Sequence, residues 1–176
     1  MITVETASLN NLSEQEVNSL YRIIIKGYEL TEEEVWGKNY VRISKADYID
    51  LITKGQILVA KFKGSIAGGI HYYEAQPGIY TFSLLGTDFM LAGNGLGTAL
   101  IQSVEDRAKK AGATAIEMEV LRVKAFDTES KLRLAKYYQK LGYHYTHSAD
   151  CSCKIPAEKY SRLKAPSDFD FYRKVI

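Results

Sequence analysis

Apolar and polar positions along this chain change period several times, and each change marks an element. Ile2–Thr6 alternates in the manner of a half-buried strand. At Ser13-Glu14-Gln15-Glu16 the period lengthens into a capping box, with Leu12 and Val17 placed as a hydrophobic staple. The helix predicted there carries Leu20, Tyr21 and Ile24 on one face and ends near Gly27. Residues 28–43 have weak periodicity and mix acids with aromatics: Glu29, Glu32, Glu33, Glu34, Trp36 and Tyr40. Ser44 caps a second short helix, stapled by Ile43 and Tyr48, that stops at Gly55.

Ile57–Phe62, Ser65–Glu74 and Ile79–Thr87 read as three strands. Tight turns at Lys63-Gly64 and Gln76-Pro77-Gly78 make them an antiparallel meander. An amphipathic helix from about Leu96 to Ala111 buries Ala99, Leu100, Val104 and Ala108. Ala115–Leu121 returns as a strand, and Asp127 or Thr128 caps a helix over 130–141 that Gly142 closes. Tyr143–His147 and Phe169–Ile176 finish as strands around a polar loop, 148–168. The order β-α-α-β-β-β-α-β-α-β-β predicts one α/β domain over residues 1–176, a mixed sheet with helices on both faces.

Composition narrows the function only by exclusion. The chain is 46% hydrophobic and 25% charged with a net charge of +2, so no excess of positive charge points to nucleic acid. The local cluster Arg107, Lys109 and Lys110 follows Glu105 and Asp106 at helix-pair spacing, which reads as a solvated face. No segment has the length of a membrane span, and the N-terminus carries no secretory pattern. Cys151 and Cys153 are too few for a zinc site and awkwardly spaced for a disulfide, so they read as reduced thiols of a cytoplasmic protein. Thirteen tyrosines exceed ordinary usage and suit a wet cleft, since tyrosine joins an apolar body to a polar tip.

The densest chemical signal is Leu91-Ala92-Gly93-Asn94-Gly95-Leu96-Gly97-Thr98. Alternating glycines let backbone N–H groups turn toward a ligand, and the helix start adds the positive end of its dipole. Such a loop suits a diphosphate. A dinucleotide site would need its third glycine one position later and a parallel βαβ setting, whereas this loop follows an antiparallel meander.

The remaining reading is coenzyme A. Here the chain resembles the GNAT superfamily of acyl-CoA-dependent N-acetyltransferases. The family's (Gln/Arg)-x-x-Gly-x-(Gly/Ala) signature is matched by Ala92-Gly93-Asn94-Gly95-Leu96-Gly97. Its second signature is matched by Lys131 followed by Tyr137-Tyr138-Gln139-Lys140-Leu141-Gly142-Tyr143. Motif interval and element order also agree, so the resemblance covers nearly the whole chain. Three residues depart from the pattern: Ala92 replaces Gln or Arg, Asn94 a basic residue, and Lys131 the usual Asn.

The resemblance implies acetyl transfer from acetyl-CoA, as co-substrate, to a primary amine of a small molecule or peptide by direct attack. It assigns Ala92–Thr98 and Lys131 to the cofactor's phosphates and pantetheine. Leu85, Gly86 and Thr87 would pair with the pantetheine arm, with N–H groups near Leu85 for the thioester oxygen. Tyr138 would protonate the departing thiolate; its plainer reading is a core tyrosine. Family members often dimerise, so a homodimer is expected, and no metal is implied. The positions where some relatives carry Glu or His on the fourth strand hold Thr81 and Ser83, which are poor bases.

The Gln76-Pro77-Gly78 turn predicts Glu74 across from Thr81 and Tyr72 across from Ser83. That makes Glu74 the expected proton acceptor, working through a water. A one-residue shift puts His71 and Tyr73 on that face instead, and Glu119 is a third candidate. The acceptor would enter between 28–43 and 148–168, where the acidic run suits a cationic amine or is merely an exposed helix start. A non-catalytic acyl-CoA-binding module is the alternative, favoured by Ala92, Lys131 and the missing fourth-strand base.

Overall fold

The computed structural model describes residues 1–176. Its strands and helices follow the alternation between the two periods closely. β1 (Ile2–Thr6) is followed by α1 (Glu14–Thr31), α2 (Glu33–Trp36) and α3 (Lys45–Thr53). The meander is β2 (Ile57–Phe62), β3 (Ser65–Gln76) and β4 (Ile79–Thr87). Then come α4 (Leu96–Lys110), β5 (Ala115–Val123), α5 (Glu129–Lys140), β6 (His144–Asp150), α6 (Ala157–Tyr160) and β7 (Ser167–Val175).

One seven-stranded sheet runs β1-β2-β3-β4-β5-β7-β6. Every neighbouring pair is antiparallel except β4–β5. α4 and α5 cover one face, burying Leu100, Ile101, Val104 and Tyr138 against Leu58, Ile70, Phe82 and Met118. α1 and α3 cover the other, where Leu20, Ile24, Tyr48 and Ile52 pack on Ile57, Val59 and Leu84.

The capping box forms as the sequence predicts: Ser13 accepts from the Glu16 N–H, and Glu16 accepts from the Ser13 N–H at 2.8 Å. α1 does not end near Gly27, however, but runs to Thr31. It lies so close to β4 that a Cβ at Gly86 would stand 3.0 Å from the Ile24 side chain and 3.1 Å from its Cα. Tertiary packing thus outweighs the helix-breaking tendency of one glycine.

Residues 28–43 and 148–168 meet each other instead of leaving a gap. Val35 and Trp36 pack with Leu121, Val123, Cys151 and Phe169, joined by Ile155 and Leu163. The Lys164 N–H donates to the Val35 carbonyl at 2.8 Å. The predicted polar loop therefore begins as strand and holds α6, and together these two segments wall the sheet's second half. Both cysteines are free, Cys151 buried and Cys153 exposed. No helix is long and apolar enough to cross a membrane.

Candidate active site

β4 and β5 pair only at Ile79↔Ala115 and Tyr80↔Ile116, although they continue to Thr87 and Val123. The cause lies in β4. Between the pairs His71↔Ser83 and Gly69↔Gly86, one residue of β3 faces two of β4, Leu84 and Leu85. Leu84 takes φ +49, a left-handed conformation seldom seen in a non-glycine strand residue. Such a bulge bends its strand and re-aims the local N–H groups.

The two strands part below the bulge around a cavity of about 380 Å³. α1, β4, β5 and α5 line it, through Tyr28, Glu32, Ser83, Leu85, Glu119 and Tyr138 among others. Among the residues predicted for the site, Leu85, Gly86, Thr87, Lys131 and Tyr138 all line this cavity.

The glycine loop lies outside that lining, at the start of α4. Gly93 and Gly95 take φ +83 and +81, and nothing stands within 4 Å of where their Cβ atoms would be. Gly95 is the N-cap and offers no side-chain bond, so the first N–H groups of α4 keep their free donors. The Leu96 side chain is buried in the core. Asn94 turns inward to the loop, its amide donating to the Leu91 carbonyl at 2.8 Å, and Ala92 is exposed. Tyr137, next to Tyr138 in the second signature, braces the loop: its hydroxyl is 3.0 Å from that of Thr98. Open space, outward donors and the dipole of a 15-residue helix fit a diphosphate.

Tyr138 sits on α5 between Phe82, Tyr143 and Tyr172, with ring centroids 6.1 to 6.3 Å away. Burial pushes its phenol pKa far up, so the proton stays on. Across the cavity stands Tyr28 of α1. Burial pushes the pKa of Tyr28 up to about 12, so it too is neutral.

The opposite part of the lining is charged. Lys131, expected at the cofactor's phosphates or pantetheine, is 7% exposed, with Nζ 3.9 Å from Glu32 Oε2. The Arg42 Nε lies 3.8 Å from Glu32 Oε1, so one buried carboxylate stands between two cations. Burial raises the pKa of Glu32 and lowers that of Lys131, outweighing their mutual attraction for both. Glu29 and Glu33 are exposed, so the acidic run is divided between solvent and cavity. Glu119 also lines the cavity but is held by Lys154 at 2.9 Å.

Glu74 is displaced from its predicted position. A register shift between Glu74 and Gln76 sets Glu74 against Tyr80 and Tyr73 against Thr81. Glu74 is exposed, and its carboxylate accepts from the Gly78 N–H at 2.9 Å. It caps the turn and does not line the cavity, so the route through Thr81 or Ser83 is closed to it. The residues that the sequence did not single out here are Tyr28, Arg42 and Gln56. Each reaches the site through tertiary packing and carries no local motif.

The sequence profile of the Acetyltransferase (GNAT) family matches residues 17–143. The chain belongs to this family. No curated protein sequence matches it. Among solved structures it is similar to Ard1 from Thermoplasma volcanium at 17% identity and TM-score 0.67, covering 99% of this chain and 97% of that one. It is similar to the ribosomal-protein-S18-alanine N-acetyltransferase from Escherichia coli at 16% identity and TM-score 0.64, covering 100% and 94%. N-acetylglutamate synthase from Neisseria gonorrhoeae, complexed with coenzyme A and N-acetyl-glutamate, shares 12% identity over 99% of this chain and 35% of its own, at TM-score 0.65. At these identities the likeness is one of fold, and it supports the α/β GNAT architecture expected from the sequence.

Proposed function

We propose that this protein is an acetyl-CoA-dependent N-acetyltransferase that acylates a primary amine of a small molecule or peptide. The observation that carries the reading is the parting of β4 and β5 at the Leu84 bulge, with Tyr138 on one wall of the gap. Acyl transfer needs donors for a developing oxyanion and an acid for the leaving group. The Leu84 and Leu85 N–H groups, re-aimed by the bulge, supply the first.

Tyr138 supplies the proton for the leaving group: burial keeps its hydroxyl protonated, and it stands on the cavity wall. The N–H groups of Gly93–Thr98 bind the pyrophosphate, and Leu85–Thr87 align the pantetheine arm. Lys131, buried beside Glu32, shapes the wall between donor and acceptor and does not reach for phosphate. Neighbours of the same fold bear names that specify amine acceptors, a ribosomal protein and agmatine among them, and this supports an amine here.

The test is release of free thiol from acetyl-CoA with a panel of primary amines. Amine-dependent thiol release is the expected result. Tight CoA binding with no turnover on any amine would overturn the reading in favour of a binding module.

A further inference from the structure

Acyl transfer to an amine also needs a group that takes the amine's proton, and of the carboxylates near the cavity Glu32 alone makes no side-chain hydrogen bond, with two cations at 3.8 and 3.9 Å. Glu74 caps a turn, Glu119 is held by Lys154, and Glu32 is set between Arg42 and Lys131. The β3–β4 register brings a different set together. His71 lies opposite Ser83, and Ser83 lines the cavity. His71 Nδ1 is 3.3 Å from Ser83 Oγ, and its Nε2 is 2.9 Å from Gln56 Oε1.

An amide oxygen can only accept, so Nε2 carries the hydrogen and Nδ1 keeps its lone pair. Ser83 therefore donates to His71, which leaves the lone pairs of Oγ for an N–H in the cavity. A nucleophile's hydroxyl, an imidazole and a group orienting that imidazole are the parts of a catalytic triad. Here they stand beside a substrate that brings its own nucleophile.

We propose that Ser83, His71 and Gln56 form a proton relay that deprotonates the acceptor amine during acyl transfer. The proposal rests on the acetyltransferase reading. The amine nitrogen forms a C–N bond to the thioester carbon, whose π pair moves to oxygen. As the nitrogen becomes cationic, its proton passes to Ser83 Oγ while the Ser83 proton passes to His71 Nδ1. The oxygen pair returns, the C–S bond breaks, and Tyr138 protonates the sulfur. His71 then loses its proton to solvent through Ser83, and Tyr138 regains one from solvent.

Ser83 touches the amine and is the catalytic residue; His71 acts through it, and Gln56 positions His71. The ring is 8% exposed and stacks on Tyr73 at 5.2 Å. Burial first, and the charge of Lys54 second, hold its pKa down to about 4, so the imidazole is neutral and its lone pair free at neutral pH. A weak base is enough, because nitrogen that has given its pair to carbon is far more acidic than a free ammonium.

The experiment compares wild type with Ser83→Ala, His71→Gln, the double variant, Gln56→Glu and Glu74→Gln, using acetyl-CoA and the best alkylamine of the panel. Ser83→Ala and His71→Gln are expected to lower kcat on the order of 100-fold with KM for acetyl-CoA unchanged. The double variant should be no worse than either single one, because both act in one relay. A fluorinated analogue of the same amine, of similar size but lower basicity, should shrink the defect, which loss of a merely structural contact would not do. Gln56→Glu should move the acidic limb of the pH profile upward, since a carboxylate on Nε2 stabilises the imidazolium. Ser83→Ala retaining more than half of kcat, multiplying losses in the double variant, or a loss in Glu74→Gln alone would overturn the relay. No turnover by wild type with any amine would overturn the acetyltransferase reading itself, and the relay with it.

Discussion

On the α4 side of the split, the groups fitted to a diphosphate come from one short run, residues 91–98. On the α1 side, Glu32, Arg42, Ser83, Glu119 and Lys131 arrive from α1, the loop before α3, β4, β5 and α5. The donor side works with backbone N–H groups, whose directions follow from φ and from the helix start alone. The proposed acceptor side would work with side chains from distant segments, where a buried unpaired charge is costly. Under the proposed function, donor recognition is local, whereas acceptor recognition follows from how α1, α2 and the 148–168 segment pack.

Breaking the acceptor side should have the largest effect. Glu32→Gln leaves Arg42 and Lys131 facing each other with no carboxylate between them, at side-chain exposures of 30% and 7%. We expect a loss of about 3 kcal/mol in urea unfolding. Equal stability of the variant would mean that the three charges do not act as one cluster.

Next comes Tyr138→Phe, which removes the hydroxyl and leaves the aromatic packing in place. kcat should fall on the order of 100-fold, about 2.7 kcal/mol of barrier, while the unfolding midpoint barely moves. An unchanged kcat would return Tyr138 to the core, as packing alone.

The donor side should respond more mildly and in KM. Gly95→Ala forces a Cβ into φ +81 at the N-cap of α4, costing about 1 kcal/mol. The distorted cradle should raise KM for acetyl-CoA roughly tenfold, a shift of about 1.4 kcal/mol, with little change in kcat. Smallest of all, Ala92→Gln adds a side-chain donor beside the loop and should lower that KM about threefold, in keeping with one net hydrogen bond. If Ala92→Gln instead changed which amines are accepted, the separation of the two sides would fail.

Much of the fold was legible along the chain. The bounds of β4, the start of α4 and the capping box at Ser13 all follow from period, glycine and cap chemistry, which act over a few residues. The glycine loop was legible for the same reason. The β3–β4 register was not. Gln76-Pro77-Gly78 marks the turn, but the irregularity between Glu74 and Gln76 moves the pairs from Glu74↔Tyr80 to His71↔Ser83 by one residue, until the bulge at Leu84 restores the register. That single residue takes Glu74 out of the site and puts His71 against Ser83. The bulge at Leu84 was equally hidden, because leucine gives no sign that its backbone will adopt positive φ. Lys131 read as a cofactor ligand along the chain, and only packing shows it beside Glu32 at 3.9 Å.

The sequence by itself determined the order of elements, the single family they belong to, and a diphosphate cradle made of backbone. Each depends on interactions between residues close in the chain, so periodicity and motif suffice. Only the tertiary structure decided where β4 leaves β5, which residue faces Ser83, and which charges share one side of the cleft. Those outcomes depend on contacts between distant segments, where a one-residue slip exchanges one face of a strand for the other.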